Sequence, residues 1–293
     1  MKAAVLGSPV AHSLSPVLHR AAYQALGLAG WTYDAIECDE ARLPGVLGGC
    51  GPEWAGLSLT MPLKRAVLPL LDSTEPLAAD VGGANTVIFA AGARHGHNTD
   101  VPGMITALAA AGLSSAGSVL ILGAGATACS ALAAVRGLGA SELTVAARDP
   151  VRTDDLRAAA RRLDMAVRLT TFGGLSPVNS WDLLISTVPA GAADTYAERI
   201  LRGELFPAAV LDVVYHPWPS RLALAAEQSG AAVISGFELL LHQAAGQVEL
   251  MTVRTAPVAA MRRAGQAELR RRVDRVGRQA GPGRNIWGGN ALL

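Results

Sequence analysis

The sequence predicts an α/β protein with two domains. At 293 residues the chain is long enough for about two domains. Short apolar runs alternate with amphipathic helical patterns over most of its length, which is typical of a mostly parallel sheet covered by helices. A second and stronger pattern of the same kind begins at Ser118. With 51% hydrophobic and 17% charged residues, the chain is too apolar to be intrinsically disordered.

The first half contains three predicted strands, at residues 3–6, 57–60 and 87–89. Helices are predicted at residues 15–26 and 102–111. The second unit extends from Ser118 to about Gly236. Its strands are predicted at residues 119–122, 142–146, 183–187, 210–214 and 232–234. Two more helices are predicted, at residues 238–252 and 257–272.

Residues 266–293 are rich in arginine and then in glycine and asparagine. We expect a flexible, solvated C-terminal tail here; an anion-binding role is the alternative.

Composition also excludes several functions. The net charge of +1 gives no general attraction to nucleic acid or to a membrane surface. The three cysteines and six histidines have no metal-ligand spacing, so no metal site is expected. No apolar run reaches the ~18 residues that a membrane span requires. We therefore expect a cytoplasmic protein that binds neither nucleic acid nor membrane.

A glycine-rich motif follows the strand at residues 119–122. It is Gly123-Ala124-Gly125-Ala126-Thr127-Ala128, and an apolar helical pattern and a second strand come after it. The first glycine permits a tight turn, the second lets the backbone approach a pyrophosphate, and the small third residue lets helix and strand pack closely. This strand–turn–helix–strand context predicts a Rossmann-type dinucleotide-binding domain.

The end of the second strand in this unit bears on the choice of cofactor. Arg148 and Arg152 suit the 2′-phosphate of NADP, whereas Asp149 suits the free 2′-hydroxyl of NAD. Asp149 can instead cap the structure that follows it. We favour NADP, with NAD as the alternative.

Polar clusters lie where strands of the first half end, and each taken alone has an ordinary structural explanation. Ser15 before Pro16 is a helix start, Asn85 and Asp100 are turn residues, and Lys64 is a surface lysine.

In their order along the chain, however, the motifs resemble those of shikimate dehydrogenases. They are Ser-x-Ser-Pro-x-x-His at 13–19, Thr-x-Pro-x-Lys at 60–64, Gly-Ala-Asn-Thr at 83–86, Asn-Thr-Asp at 98–100, Gly-x-Gly-x-x-Ala at 123–128, Ser-Thr-Val-Pro at 186–189, Asp-x-x-Tyr at 212–215 and Gln-Ala at 243–244. The resemblance covers about residues 5–250.

The resemblance implies NADPH-dependent reduction of 3-dehydroshikimate to shikimate. It implies a catalytic pair, Lys64 and Asp100. The implied substrate-binding residues are Ser13, Ser15, Thr60, Asn85, Tyr215 and Gln243. The implied cofactor-binding residues are Gly123, Ala124, Gly125, Ala126, Ala128, Arg148, Arg152, Thr187 and Gly236.

The resemblance also implies a substrate-binding domain of residues 1–101 and 237–265 and a Rossmann domain of residues 102–236, with a cleft between them. A homodimer is expected as well.

The sequence departs from the family pattern at a few positions. Ser58 replaces an asparagine, Arg20 replaces another, Phe237 replaces a methionine, and Ala147 to Asp149 replace an Asn-Arg-Thr pattern. Two alternatives therefore stay open: an NAD-preferring quinate/shikimate dehydrogenase, and a ligand sensor without turnover. The Lys64–Asp100 pair argues against the sensor, because ligand binding alone needs no proton donor.

Overall fold

The structure is a computed structural model that describes residues 1–149, 151, 153–175 and 179–280. The strands are β1 (Lys2–Gly7), β2 (Thr32–Glu37), β3 (Trp54–Leu59), β4 (Ser73–Thr74), β5 (Thr86–Ala90), β6 (Ala93–His97), β7 (Ser118–Leu122), β8 (Glu142–Ala147), β9 (Arg168–Thr171), β10 (Asn179–Ser186), β11 (Leu205–Asp212) and β12 (Ala232–Ser235). The helices are α1 (Ser15–Ala25), α2 (Leu43–Gly48), α3 (Leu63–Ala66), α4 (Pro76–Val81), α5 (Asp100–Ala110), α6 (Ala126–Arg136), α7 (Asp154–Arg162), α8 (Asp194–Leu201), α9 (Arg221–Gln228), α10 (Gly236–Thr252) and α11 (Val258–Ala280), with a 3-10 turn at Leu68–Leu70.

The second sheet has the strand order β12-β11-β10-β7-β8-β9 and is parallel throughout. Numbered within this domain the order is 6-5-4-1-2-3, the arrangement of dinucleotide-binding folds. Along β7, Val119 and Ile121 face α5, α6 and α7, while Leu120 and Leu122 face α8 and α9. Both faces of the strand are therefore covered, as its unbroken apolar sequence predicts.

The first sheet has the order β2-β1-β3-β5-β6-β4 and is mixed. Strand β5 runs antiparallel to both β3 and β6, whereas the other pairings are parallel, so the sheet is mostly parallel as expected, with one antiparallel strand. Ala91 and Gly92 both have positive φ, 52° and 78°, and form the tight turn of the β5–β6 hairpin. Two-residue hairpin turns of this kind usually carry Asn-Gly or Asp-Gly, so Ala-Gly gave little sign of one.

Helices cover both faces of the first sheet. Leu6 of β1 packs with α2 and α3 on one face, and Val5 packs with α1 and α10 on the other. Because α10 comes after the second sheet, the chain returns to the first domain to complete it.

The C-terminal helix includes the one predicted at residues 257–272 and is longer. It continues to Ala280, so residues 266–280, expected as part of a flexible tail, are helical. Leu269 packs with Leu14 and Leu18 of the α1 region, so this part of the helix buries an apolar side chain. Residues 281–293 lie outside the described residues.

The tightest contact between helices is that of α5 with α10. A Cβ added to Gly103 of α5 would lie 2.7 Å from the backbone nitrogen of Gln243 in α10. On the other helix, a Cβ at Gly246 would lie 3.3 Å from Thr99 Cγ2. The absence of side chains at these two positions lets the helix backbones approach closely.

We predict that Gly103→Ala lowers the free energy of unfolding by about 1–3 kcal/mol, because the new methyl group meets the backbone of α10. The matched control is Gly45→Ala in α2, where an added Cβ would have no neighbour within 4 Å. The control should be neutral or stabilising by up to about 1 kcal/mol, since alanine favours helix. Urea unfolding measures both variants. Equal stability of the two would contradict the close approach.

Candidate active site

The polar residues of the first domain meet at one edge of its sheet. Strands β3 and β6 both end at this edge, and β5 begins there, because β5 runs opposite to its neighbours. The register pairs Ser58 with Thr86 and Thr86 with His97. The segments that follow β3, precede β5 and follow β6 are therefore adjacent, and they carry Lys64, Asn85 and Asp100.

An ion pair between Lys64 and Asp100 lies at the centre of the site. Lys64 Nζ donates to Asp100 Oδ2 over 2.6 Å, and the two side chains are only 15% and 7% exposed. Asn85 Nδ2 donates to the other carboxylate oxygen over 2.8 Å. Asp100 is also the first residue of α5, where the helix dipole stabilises a negative charge. The carboxylate thus orients an ammonium group that keeps N–H donors for a ligand.

Both the oxygen and the nitrogen of the Asn85 side-chain amide make hydrogen bonds. Its Oδ1 accepts from the backbone N–H of Thr99 over 2.8 Å and from Thr86 Oγ1 over 2.9 Å. Its Nδ2 also lies 2.9 Å from Thr99 Oγ1 and 3.3 Å from Gln243 Oε1. The amide therefore connects the end of β6, the start of α5 and the middle of α10.

A second buried chain of hydrogen bonds continues from this amide. Tyr33 OH donates to Ser58 Oγ over 2.6 Å, and Ser58 Oγ donates to Gln247 Oε1 over 2.8 Å. Gln247 Nε2 then donates to Asn85 O and Thr86 Oγ1, both at 3.1 Å. Burial raises the pKa of Tyr33, so its hydroxyl keeps its proton and acts as a donor.

Residues 12–15, here called the serine loop, lead into the first turn of α1. They pack against this network through His19 of the same helix. The backbone N–H of Ser15 donates to Ser13 Oγ over 3.2 Å, and His19 Nδ1 donates to Ser15 O over 2.9 Å. The His19 ring stacks on Tyr33 at 3.8 Å. Burial lowers the pKa of His19 to about 4, with the hydrogen bond to Ser15 opposing the shift. His19 is therefore a neutral structural support of the serine loop.

A cavity of about 280 Å³ lies between the two domains. Its lining includes the predicted residues Ser13, Ser15, Thr60, Lys64, Asp100, Tyr215, Gln243 and Gly236, and further Ser58, Thr127, Val213, Leu240 and Gln247. Asn85 lies directly behind the lining, against Asp100 and Gln243. The polar residues of the first domain that line the cavity can bind a ligand with several hydroxyl groups.

The start of α6 fits a pyrophosphate. Gly123 has φ +105°, and a Cβ there would lie 2.5 Å from Thr187 Oγ1, so the turn requires glycine. An added Cβ at Gly125 would meet nothing within 4 Å, so the space in front of the helix is open. No side chain caps the helix, which leaves its first N–H groups available to an anion. Ala126 and Ala128 belong to this first turn, and Ala124 lies within the preceding loop.

Of the remaining predicted cofactor residues, Thr187 lies beside the glycine turn. Thr187 donates its hydroxyl to Leu122 O over 2.7 Å and supports the glycine turn from the side. Arg148 follows β8 and is exposed. Asp149 Oδ1 accepts from the backbone N–H of Val151 over 3.0 Å, so this carboxylate caps a local turn rather than α7. Arg152 lies outside the described residues.

Several residues of the site were missed from the sequence. Gln247 lies one helical turn after Gln243 on the same face of α10, and this i, i+4 spacing was the available signal. Tyr33 gave no such signal, since it comes from the unpredicted strand β2. Thr99 belongs to the Asn-Thr-Asp motif, but no role was predicted for it. Ser58, the departure from the family pattern, lines the cavity, and its hydroxyl is bonded to Tyr33 and Gln247. Arg20, another departure, points outward to Asp34 at 2.9 Å.

Comparison with known proteins gives consistent matches. Residues 5–87 match a family model described as the shikimate dehydrogenase substrate binding domain, and residues 236–264 match one described as the shikimate 5′-dehydrogenase C-terminal domain. A shikimate dehydrogenase (NADP(+)) from Moorella thermoacetica is 35% identical over 268 residues, which are 89% of this chain and 90% of that protein.

Solved structures of shikimate dehydrogenases are also similar to this chain. The shikimate dehydrogenase of Mycobacterium tuberculosis is 42% identical with a TM-score of 0.79, covering 91% of this chain and 98% of that one. A Thermus thermophilus shikimate 5-dehydrogenase, solved in complex with NADP(H) and shikimate, is 33% identical with a TM-score of 0.77. That match covers 91% of this chain and 99% of the other.

We predict a contribution of His19 to the pH dependence of stability. In the unfolded chain His19 protonates near pH 6.5, and in the folded protein only near pH 4. Stability from this group is complete above pH 6.5 and falls as the pH drops towards 4, by up to about 3 kcal/mol.

The measurement is urea unfolding between pH 7.5 and 4.5. His19→Gln should lose less stability over this range than the wild type, whereas the control His12→Gln, at an exposed position, should keep the wild-type slope. A wild-type slope in His19→Gln would show that the buried histidine does not titrate as described.

Proposed function

The chain belongs to the shikimate dehydrogenase family, and we propose that it catalyses the reversible reduction of 3-dehydroshikimate to shikimate with NADPH. The family membership confirms the resemblance drawn from the sequence, and with it the two-domain α/β fold and the use of NADP. The observation that carries the proposal is the buried Lys64–Asp100 pair in a cavity that borders the dinucleotide cradle.

We propose that Lys64 is the proton donor of the reaction. When bound, NADPH supplies the hydride, and the carbonyl oxygen of the substrate becomes negative. The Lys64 ammonium stabilises this charge and delivers a proton from Nζ to the oxygen. Asp100 holds the ammonium in position at 2.6 Å, and Asn85 keeps the carboxylate from rotating.

The other predicted residues have binding roles in this proposal. Ser13, Ser15 and Tyr215 hold the substrate carboxylate, while Thr60 and Gln243 contact its hydroxyl groups. Asn85, expected to bind a hydroxyl group, is buried behind the lining and acts by holding Asp100. Thr60 and Gln243 line the same cavity as Lys64, which supports this division. We assign residues 1–101 and 237–265 to the substrate domain and 102–236 to the cofactor domain, with α5 and α10 crossing between them.

We also propose that the protein acts in the cytoplasm, as its composition indicates, and forms a homodimer. In the described part of the chain, no helix has the length and apolar character needed to cross a bilayer. Gel filtration with light scattering tests the dimer.

The function is tested by an assay at 340 nm that crosses shikimate and quinate with NADP and NAD. We predict that the wild type is most active with shikimate and NADP, and that Lys64→Ala lowers kcat by about 10²–10⁴-fold, the usual contribution of a general acid. Binding of NADPH should be unchanged.

The matched control is Lys2→Ala, which removes the only other lysine, an exposed one paired with Glu53. It should leave kcat unchanged. An unchanged kcat in Lys64→Ala would remove the proposed role, and a wild type that binds shikimate without turnover would favour the sensor.

We predict that Arg148→Ala raises the KM for NADP by at least about tenfold, or ~1.4 kcal/mol, with little effect on NAD. The reason is that a guanidinium makes charge-assisted bonds to a 2′-phosphate. Because the Asp149 carboxylate is bonded to Val151, it is turned towards its own loop, and Asp149→Ala should leave the use of NADP intact or improve it.

The control for Arg148→Ala is Arg157→Ala, an exposed arginine of α7. Its KM for both cofactors should equal that of the wild type. If the wild type prefers NAD and Asp149→Ala abolishes that preference, the protein is instead the NAD-preferring alternative.

A further inference from the structure

The last part of α11 reaches the loop that carries Ser13 and Ser15. The match to the family's C-terminal domain ends at residue 264, and α11 continues beyond it to Ala280. Gly265 lets this helix lie close to the core, since an added Cβ would be 2.6 Å from Phe237 and 2.8 Å from Leu18. The close packing directs the next two turns of α11 at the serine loop.

Arg272 makes the contact. Its Nη1 donates to the carbonyl oxygen of His12 over 2.7 Å, and its Nη2 lies 3.5 Å from that of Ser13. Its Nε donates to Glu268 Oε1 over 3.1 Å. The side chain is only 17% exposed. The guanidinium is thus held by the Glu268 carboxylate on its own helix and contacts two consecutive carbonyl groups of the loop.

These two contacts fix the orientation of two peptide groups. A peptide unit is planar and trans, so fixing the carbonyls of His12 and Ser13 also fixes the N–H groups of Ser13 and Leu14 on the opposite side. Ser13 and its neighbour Ser15 line the cavity. The backbone that carries Ser13 is therefore positioned by a residue outside the cavity.

The charge of Arg272 also reaches the site. Burial raises the pKa of Tyr215, and the nearby positive charge of Arg272 and a backbone hydrogen bond from Leu14 oppose that shift. Burial lowers the pKa of His216, and the charges of Arg272 and His12 lower it further. The positive charge of Arg272 therefore acts on Tyr215, one of the residues proposed to hold a carboxylate.

We propose that Arg272 is a positioning residue of the carboxylate subsite, which orients the serine loop and supplies positive charge behind it. The proposal rests on the proposed function, because it takes the carboxylate to be that of shikimate. Two hydroxyl-bearing serines and one tyrosine are neutral, so a fixed cation behind them favours an anionic over a neutral substrate.

The test compares Arg272→Gln with Arg271→Gln. Both substitutions remove one arginine from the same turn and one ion pair with Glu268, but Arg271 is exposed and has no contact with the loop. We expect Arg272→Gln to raise the KM for shikimate about tenfold or more with kcat within twofold, and the KM for NADP to stay unchanged. Arg271→Gln should behave as the wild type.

Two further measurements separate this role from a purely structural one. The KM of Arg272→Gln should rise less for the methyl ester of shikimate than for shikimate, because the ester lacks the charge. Arg272→Lys, which keeps the charge but cannot reach two carbonyls with a planar fork, should raise the KM for shikimate by a smaller factor.

The outcomes are distinguishable. If Arg272→Gln and Arg271→Gln have the same KM for shikimate, the positioning role is wrong while the enzyme assignment stands. If the acid and the ester are affected equally, the contribution of charge is wrong. If Arg272→Gln lowers kcat and the thermal midpoint together without a selective change in KM, the contact is only structural. A wild type that neither binds nor oxidises shikimate would overturn the proposed function and this inference with it.

Discussion

The close approach of α5 and α10 is the constraint on which the candidate site depends. Where the helices cross, Gly103 faces Gln243 and Gly246 faces Thr99, and neither glycine could carry a side chain without displacing its neighbour. One helix begins with Asp100, and the other comes from the far end of the chain. Their contact therefore brings two widely separated segments within hydrogen-bond distance of the same amide.

That amide, Asn85, shows why the surroundings must be rigid. It joins Asp100, Thr99 and Gln243 through one side chain, and Gln247 binds its backbone carbonyl. Each of these groups would be costly to bury without a partner, so the network favours one arrangement of the helices over slightly displaced ones. The polar network and the helix crossing thus stabilise each other, and the direction of the Lys64 ammonium follows from both.

The sequence predicted those features that depend on residues close together along the chain. The turn at Gly123 needs a positive φ and lies between a strand and a helix, so its pattern is readable along the chain, and the order of the polar motifs indicated the family. Contacts between distant segments were not readable. Tyr33 and Gln247 have no motif of their own, because their importance arises only when β2 and α10 fold around Ser58. The hairpin turn at Ala91 lacks the residues usual for such turns. The arginines after residue 265 indicated a solvent-exposed tail, although Leu269 packs this part of the helix against the core.

The two sides of the cavity differ in a way that follows from the chemistry each must perform. The side formed by the first domain carries the hydrogen-bonded side chains of Lys64, Asp100, Ser58 and Gln247, next to the apolar side chains of Val5, Val10 and Leu59. The side formed by the second domain includes Thr127, Val213 and Gly236, which are small or apolar. At Gly236 an added Cβ would lie 2.1 Å from Val213 O, so α10 can begin this close to the end of β11 only at a glycine. A flat nicotinamide ring needs such a surface, because transfer of hydride requires contact between the ring and the substrate without a side chain between them. The same helix, α10, thus provides a glycine for the proposed cofactor side at its first residue and Gln243 for the substrate side two turns later.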